Sequence, residues 1–418
     1  MKDKKAIFLG GILLLSCINF FYIVWFYKVY RYLPPPFIYD KENTFMDFYN
    51  TLYWSGQEGI YSVWNSVYPP LSFLFLQLYQ LLFLGDISEF GDGFVIRQVM
   101  GGQIFPLLVI YTLSLFVTVE ISLRQIADLK TQFTVFLVCL LSPAFLFAIE
   151  RGNLIILCIP ILSWFIFSED QISRALSLAI LLNLKPYFAI FYIVQLINVK
   201  GREENKNFLF LAPVFTLILF LVTGLLLNQE FYLIPMNLLG FATNSVFLSP
   251  TDALSFPSSM AAFAYFRGLV TQISIPPILG HLLKLFIYFF LIKTLILIYR
   301  RKLDFEYLAI FSIIFLTNYS TSTGGYGLLY YIPALALLYK QKNYILFFII
   351  AATMYVGIWD LIPVYQYSGG DMNVYLSGET ANIKPYISLG SIIRPIANFA
   401  VLLLFYKSLK KRELDETI

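Results

Sequence analysis

Of the 418 residues, 59% are hydrophobic and only 13% charged, with a mean hydropathy of +0.74, which places the chain in the membrane-embedded class and excludes an ordinary water-soluble domain. The net charge of +4 comes from Lys and Arg gathered in short segments between apolar runs. That pattern encodes orientation in a bilayer and leaves no nucleic-acid footprint.

In chain order, apolar runs predict membrane spans near 6–28, 98–121, 132–150, 153–169, 207–227, 278–299, 305–319, 325–339, 343–363 and 386–406. No soluble domain interrupts them, so residues 1–418 read as a single integral membrane domain of the all-α polytopic class. Leu14 to Cys17 has the look of a lipoprotein processing box, but the apolar run continues to Trp25 and Phe26, as in an uncleaved first span. The three cysteines, Cys17, Cys139 and Cys158, lie inside apolar runs without ligand spacing, and indicate neither disulfide nor zinc.

Two stretches are ambiguous. Leu71 to Gly85 is apolar but short for a crossing, and suits an interfacial or partly inserted helix. Ala175 to Val199 carries Lys185 and Pro186 at its middle, where a charge is costly and a helix easily broken. With the termini in the cytoplasm, Leu71 to Gly85 non-crossing, and Ala175 to Val199 folded as a hairpin with Lys185 at its outer apex, every basic cluster falls inside. That gives about twelve transmembrane helices, with outward loops at 29–97, 228–277 and 364–385. The alternative, one crossing at each ambiguous stretch, also keeps the termini inside but turns the 124–130 and 169–174 loops outward and Glu150 to Asn153 inward.

The first outward loop carries Thr44-Phe45-Met46-Asp47-Phe48-Tyr49 and then Val67-Tyr68-Pro69-Pro70-Leu71 leading into the short apolar helix. Glu150-Arg151-Gly152-Asn153 stands at a span boundary, and Leu182-Asn183-Leu184-Lys185 in the hairpin. This order of landmarks resembles membrane glycosyltransferases of the GT-C superfamily. It is most similar to the glycosyltransferase family 87 polyprenyl-phosphate-mannose mannosyltransferases, and more distantly to dolichyl-phosphate-glucose glucosyltransferases. The resemblance covers mainly residues 1–200; further on, Thr317-Asn318-Tyr319-Ser320 running into Tyr326 and Gly327 stands where the family has a Pro-Ser motif, and departs from it.

The resemblance implies a GT-C-like fold with juxtamembrane helices in the first outward loop. It implies transfer of a hexose, mannose or glucose, from a polyprenyl-phosphate donor to a glycan or glycolipid acceptor of the cell envelope, with inversion, at the outer face of the cell membrane. Such chemistry needs a carboxylate to take the acceptor proton and cationic donors to receive the departing phosphate charge. Asp47 is the candidate base, Arg151, Lys185 and His281 the candidate phosphate contacts, and Tyr68, Glu150 and Asn153 the candidate substrate contacts. No nucleotide-binding Gly-rich loop or Asp-x-Asp motif is present, so no metal or cofactor is implied beyond the lipid-linked donor.

Each candidate also has a plainer explanation. Asp47 is one loop acid beside Asp40, Glu42 and Glu58. Tyr68 and the prolines after it shape a helix start. Glu150 and Arg151 form a self-neutralising pair at a span end. Lys185 can snorkel to headgroups. His281, the single histidine, and Arg267 are ordinary packing or boundary residues near a span end. Two other functions fit the span number. An O-antigen-type polymerase is usually argued from arginine-rich outward loops, and 228–277 holds one arginine; a transporter or flippase favours internal repeats and mid-membrane ion pairs, which the sequence does not display.

Overall fold

A computed structural model describes residues 2–30, 33, 37, 44–87, 89–124, 127–243, 278–301, 303–319, 325–355, 363–366, 371–374, 380–383, 386–388, 397 and 399–410. Helices dominate. The first part of the chain holds α1 (Lys2–Tyr30), α2 (Met46–Ser55), α3 (Pro70–Tyr79), α4 (Gly93–Met100), α5 (Phe105–Leu123), α6 (Leu129–Leu140), α7 (Pro143–Arg151) and α8 (Ile155–Phe167). Then come α9 (Gln171–Leu184), α10 (Ala189–Ile197), α11 (Lys206–Leu227), α12 (Ile234–Thr243), α13 (Ile278–Arg300), α14 (Phe305–Tyr319), α15 (Tyr331–Lys340) and α16 (Tyr344–Tyr355). A last helix, α17, spans 399–410.

Among the described residues, three helical stretches are long and apolar enough to cross a membrane: Gly10–Val29, Gly93–Leu123 and Lys206–Leu227. Their outward surfaces are greasy; on α11, Phe210 is 69% exposed and Leu225 72%. Leucine and phenylalanine left bare in this number belong against hydrocarbon, as in a helical membrane protein.

The stretch expected as one span over 132–150 is two helices, α6 and α7, bent by 54°. Pro143 lacks the N–H that would continue the ladder, and Ser142 repairs both sides of the break. Its hydroxyl donates to the Cys139 carbonyl at 2.7 Å and accepts from the Phe145 N–H at 3.2 Å. Asp128 and Asp170 cap α6 and α9 in the same way, accepting from Thr131 N at 2.7 Å and Ser173 N at 2.8 Å.

Cross-helix hydrogen bonds fix the direction of each helix. Tyr111 donates to the Gly152 carbonyl and Ser122 meets Ser163, so α5 and α8 run parallel and α6–α7 is the return between them. Likewise Gln171 accepts from Phe208 N while Asn183 donates to the Thr216 carbonyl, which makes α9 parallel to α11. The chain must therefore come back between them, and it does so through α10, reversing at Lys185–Pro186. The sequence placed Lys185 at an outer apex; here it lies just past the level of Thr216, midway along α11. A 14-residue helix such as α9 rises only about 21 Å, short of the roughly 30 Å of a hydrocarbon core.

These directions sort the molecule into two ends. At one end Gln171 donates to the Glu204 carbonyl, Asn198 to the Arg301 carbonyl, Lys340 pairs with Glu306 at 2.7 Å, and Asn343 donates to Ser408. Arg174 stands 4.0 Å from the Phe305 ring centroid at this same end. The opposite end holds α2, α3, α4, the α7–α8 turn and the start of α12. From this end α3 reaches inward: Tyr79 donates to the Gln103 carbonyl at 2.6 Å, and Ser72 donates at 3.0 Å to the Leu184 carbonyl beside the Lys185–Pro186 reversal. In the stretch expected as the 364–385 loop, β1 (Pro363–Gln366) pairs antiparallel with β4 (Tyr386–Ser388), and β2 (Asp371–Val374) with β3 (Thr380–Ile383).

Asn198 is the joint between α10 and α13, its amide nitrogen donating to the Ile298 carbonyl at 2.9 Å and the Arg301 carbonyl at 2.8 Å. Replacing it with leucine removes both bonds inside a buried joint. The expected cost is about 1–3 kcal/mol, read as a lowered Tm of the purified protein; an unchanged Tm would show that the joint carries no stability.

Candidate active site

The site is built on a turn. Helix α7 ends at Gly152, whose φ of 65° is the left-handed conformation that closes a helix and that glycine adopts without strain. The Gly152 N–H bonds to the Ile149 carbonyl and the Asn153 N–H reaches back to Ala148 at 2.9 Å. Glycine is required on a second count, because a Cβ here would stand 2.8 Å from the Cβ of Phe48 on α2. The turn thus lies directly against the start of α2, and the Phe45 N–H donates to the Glu150 carbonyl at 2.7 Å.

That contact delivers Asp47 to two donors. Arg151 Nη2 donates to Asp47 Oδ1 at 2.5 Å, and Asn153 Nδ2 donates to Asp47 Oδ2 at 2.8 Å. Both oxygens are engaged, across more than a hundred residues of sequence. Side-chain exposure of 16% for Arg151 and 23% for Asp47 leaves the pair partly open and not sealed in the core. Asn153 works in two directions, since its Oδ1 accepts from the Ile155 N–H at 3.0 Å and so caps the start of α8. Glu150 is buried beside this pair.

Lys185 does not join the carboxylate. It is buried, and its Nζ stands 3.8 Å from the centroid of the Tyr68 ring, a cation–π contact that binds the hairpin apex to the first loop. Tyr68 is therefore brought into the group, through Lys185. The two sub-groups are neighbours, because buried Tyr111 and half-buried Tyr326 each lie within electrostatic range of both Asp47 and Tyr68.

Several members have no signal in the sequence. Tyr111 holds the turn from behind, donating to the Gly152 carbonyl at 2.9 Å. Tyr326 reaches the Asn153 side chain and stacks on Phe147 with ring centroids 5.6 Å apart. Tyr187, two residues after Lys185, shares a hydroxyl–hydroxyl hydrogen bond of 2.6 Å with Tyr330. Beneath α2, Tyr49 donates to the Met100 carbonyl at 3.1 Å, and burial pushes its hydroxyl up to about 12, so it remains a neutral donor.

Of the other sequence candidates, His281 falls on α13, but its side chain lies outside the described residues, as do Arg267 and Ser320 to Thr323. Thr317 is turned to packing, its hydroxyl 2.7 Å from that of Tyr331. Among the described residues no group of three or more His, Cys, Asp and Glu is gathered that could hold a metal ion.

Gly152→Ala forces a side chain into left-handed backbone and into Phe48 together. It is expected to cost at least about 1–2 kcal/mol and to lower Tm accordingly, whereas Gly10→Ala, at an open helical position, should leave Tm unchanged or raised. Equal effects at the two glycines would mean that the turn is not under this constraint. No family model, curated protein or solved structure matches the chain, so the site rests on its own geometry.

Proposed function

We propose that the protein is a membrane glycosyltransferase of GT-C type that moves a hexose from a polyprenyl-phosphate donor to a cell-envelope glycan or glycolipid. The observation that carries the reading is the clamp on Asp47. A carboxylate in the first loop, fixed by Arg151 and Asn153 from a distant turn and still partly exposed, is what a positioned general base requires.

In this reading the acceptor hydroxyl gives its proton to Asp47 while its oxygen bonds to the anomeric carbon. The bond from that carbon to the phosphate oxygen breaks with inversion, and the electron pair leaves on the lipid phosphate. Arg151 orients the base and, with Lys185, meets the phosphate charge; His281 is a further phosphate contact. Tyr68, Glu150 and Asn153 shape the substrate side. A polyprenyl-phosphate sugar brings its own leaving group, so the proposal calls on no metal.

The same reading takes the basic end as cytoplasmic, with Arg124, Arg202, Arg300 and Lys340 inside, both termini with them, and the Asp47 end outward. It takes the short helices, the bent pair and the α9–α10 hairpin as the remainder of about twelve spans in the cell membrane. Single-cysteine variants test it with an impermeant maleimide applied to intact cells. Positions 63 and 229 should label, and positions 202 and 342 only after the membrane is opened; the reverse pattern inverts the orientation and ends the proposal of an outward site.

The activity is tested with the purified full chain in nanodiscs containing polyprenyl-phosphate mannose or polyprenyl-phosphate glucose, by release of polyprenyl phosphate in the presence of an envelope glycan extract. Asp47→Asn should fold normally and lower release by about 10²–10⁴-fold. Wild-type turnover by that variant would remove Asp47 from the chemistry, and no release from either donor by the wild type would reject transfer.

A further inference from the structure

The exposed side of α2 does not end at Asp47. Helical residues seven apart return to the same face about 10 Å further along the axis, so Trp54 stands on the Asp47 side of the helix, two turns from the carboxylate. Asp47, Asn50, Tyr53 and Trp54 are the partly exposed positions of α2, and its other six residues are buried.

Trp54 stacks on Trp64, ring centroids 5.9 Å apart and planes 19° from parallel, while Tyr53 meets Trp64 edge-on at 5.8 Å. The indole of Trp64 is 38% exposed and Val63 beside it 66%. This is no loose loop tip. Gly59, at φ 80°, donates its N–H to Gln229 Oε1 at 3.0 Å, and its carbonyl accepts from Val63 N at 2.8 Å and Trp64 N at 3.1 Å. From α12, Asn237 donates to the Tyr61 and Ser66 carbonyls at 2.9 and 3.1 Å.

An indole held open to the surroundings can anchor in lipid headgroups or receive a ligand. The rim decides between them. Glu58, Ser62 and Asn65 are all exposed in the same short segment as Trp64, so the stretch that carries the indole also offers a carboxylate, a hydroxyl and an amide. A carboxylate pressed towards lipid is costly, whereas a pyranose offers C–H groups for the ring and hydroxyls for such a rim.

We infer that the Trp54–Trp64 stack is a saccharide subsite, taking the pyranose rings of the acceptor glycan that lie beyond the sugar presented to Asp47. Its role as an acceptor subsite rests on the transferase reading; its affinity for saccharide does not. The spacing of roughly 10 Å along α2 suits a short oligosaccharide laid from the aromatic pair to the carboxylate.

The test uses the full chain in phosphatidylcholine nanodiscs, titrated with α-linked mannotriose and with maltotriose, and followed by tryptophan emission and saturation-transfer NMR. Saturable binding of at least one trisaccharide is expected in the wild type. Trp64→Ala should weaken it about tenfold, and Trp64→Phe, which keeps an aromatic face, should recover most of it. Absence of binding by the wild type, or binding unaffected by Trp64→Ala, overturns the subsite. So does quenching by shallow-brominated phosphatidylcholine that Trp64→Phe abolishes, since that places Trp64 in lipid. Trisaccharide binding without any release of lipid phosphate leaves the subsite standing and removes only the transferase reading.

Discussion

A carboxylate held between an arginine and an asparagine organises the end of this molecule where α2 meets the α7–α8 turn. Asp47 is too enclosed to rely on bulk water and too open to be a core group, so both of its oxygens take donors from the α7–α8 turn. Removing Arg151 would leave a partly buried charge with one support fewer, and removing Asn153 would also uncap α8. The turn can approach because residue 152 has no side chain and tolerates left-handed backbone. One glycine therefore sets the distance between the first loop and the helices at its back.

The helix directions have a common physical origin. Parallel neighbours in a bundle need a return segment between them, and the chain supplies two that are not simple spans. One is α6–α7, bent where Ser142 and Pro143 interrupt the ladder; the other is α10, entered through Lys185 and Pro186. Irregular backbone of this kind survives at membrane depth only when protein covers it and its polar groups are satisfied. Ser142 satisfies the first break, and Ser72, donating to the Leu184 carbonyl, helps to satisfy the second. The first loop thus supports the hairpin as well as carrying Asp47.

Aromatic residues join the two parts of the chain. Tyr187 meets Tyr330 and Phe147 stacks on Tyr326, so the segment before α15 is fastened both to the hairpin and to the helix that ends in Arg151. A tyrosine brings a large apolar face and one hydrogen bond, which lets it cross an apolar interior without leaving a polar atom stranded. The abundance of Tyr and Phe in the composition is in this sense an interior framework as much as an interfacial belt.

Sequence alone determined the membrane class, the run of apolar helices, the short apolar helix after Pro70 and the break at Lys185–Pro186, because hydrophobic length, proline and a costly charge are local properties. It also singled out Asp47, Arg151 and Asn153, by resemblance to a family pattern. Only the tertiary structure decided that these three side chains meet, that Lys185 turns to Tyr68 and sits midway along α11, and that 132–150 bends into two helices. Tyr111, Tyr326 and the clamp from Gln229 and Asn237 were illegible for the same reason. The partners of Tyr111, Gln229 and Asn237 are backbone carbonyls and amides far away in the chain, which have no identity in a sequence until packing puts a side chain beside them, and Tyr326 finds the Asn153 side chain and the Phe147 ring only through the same packing.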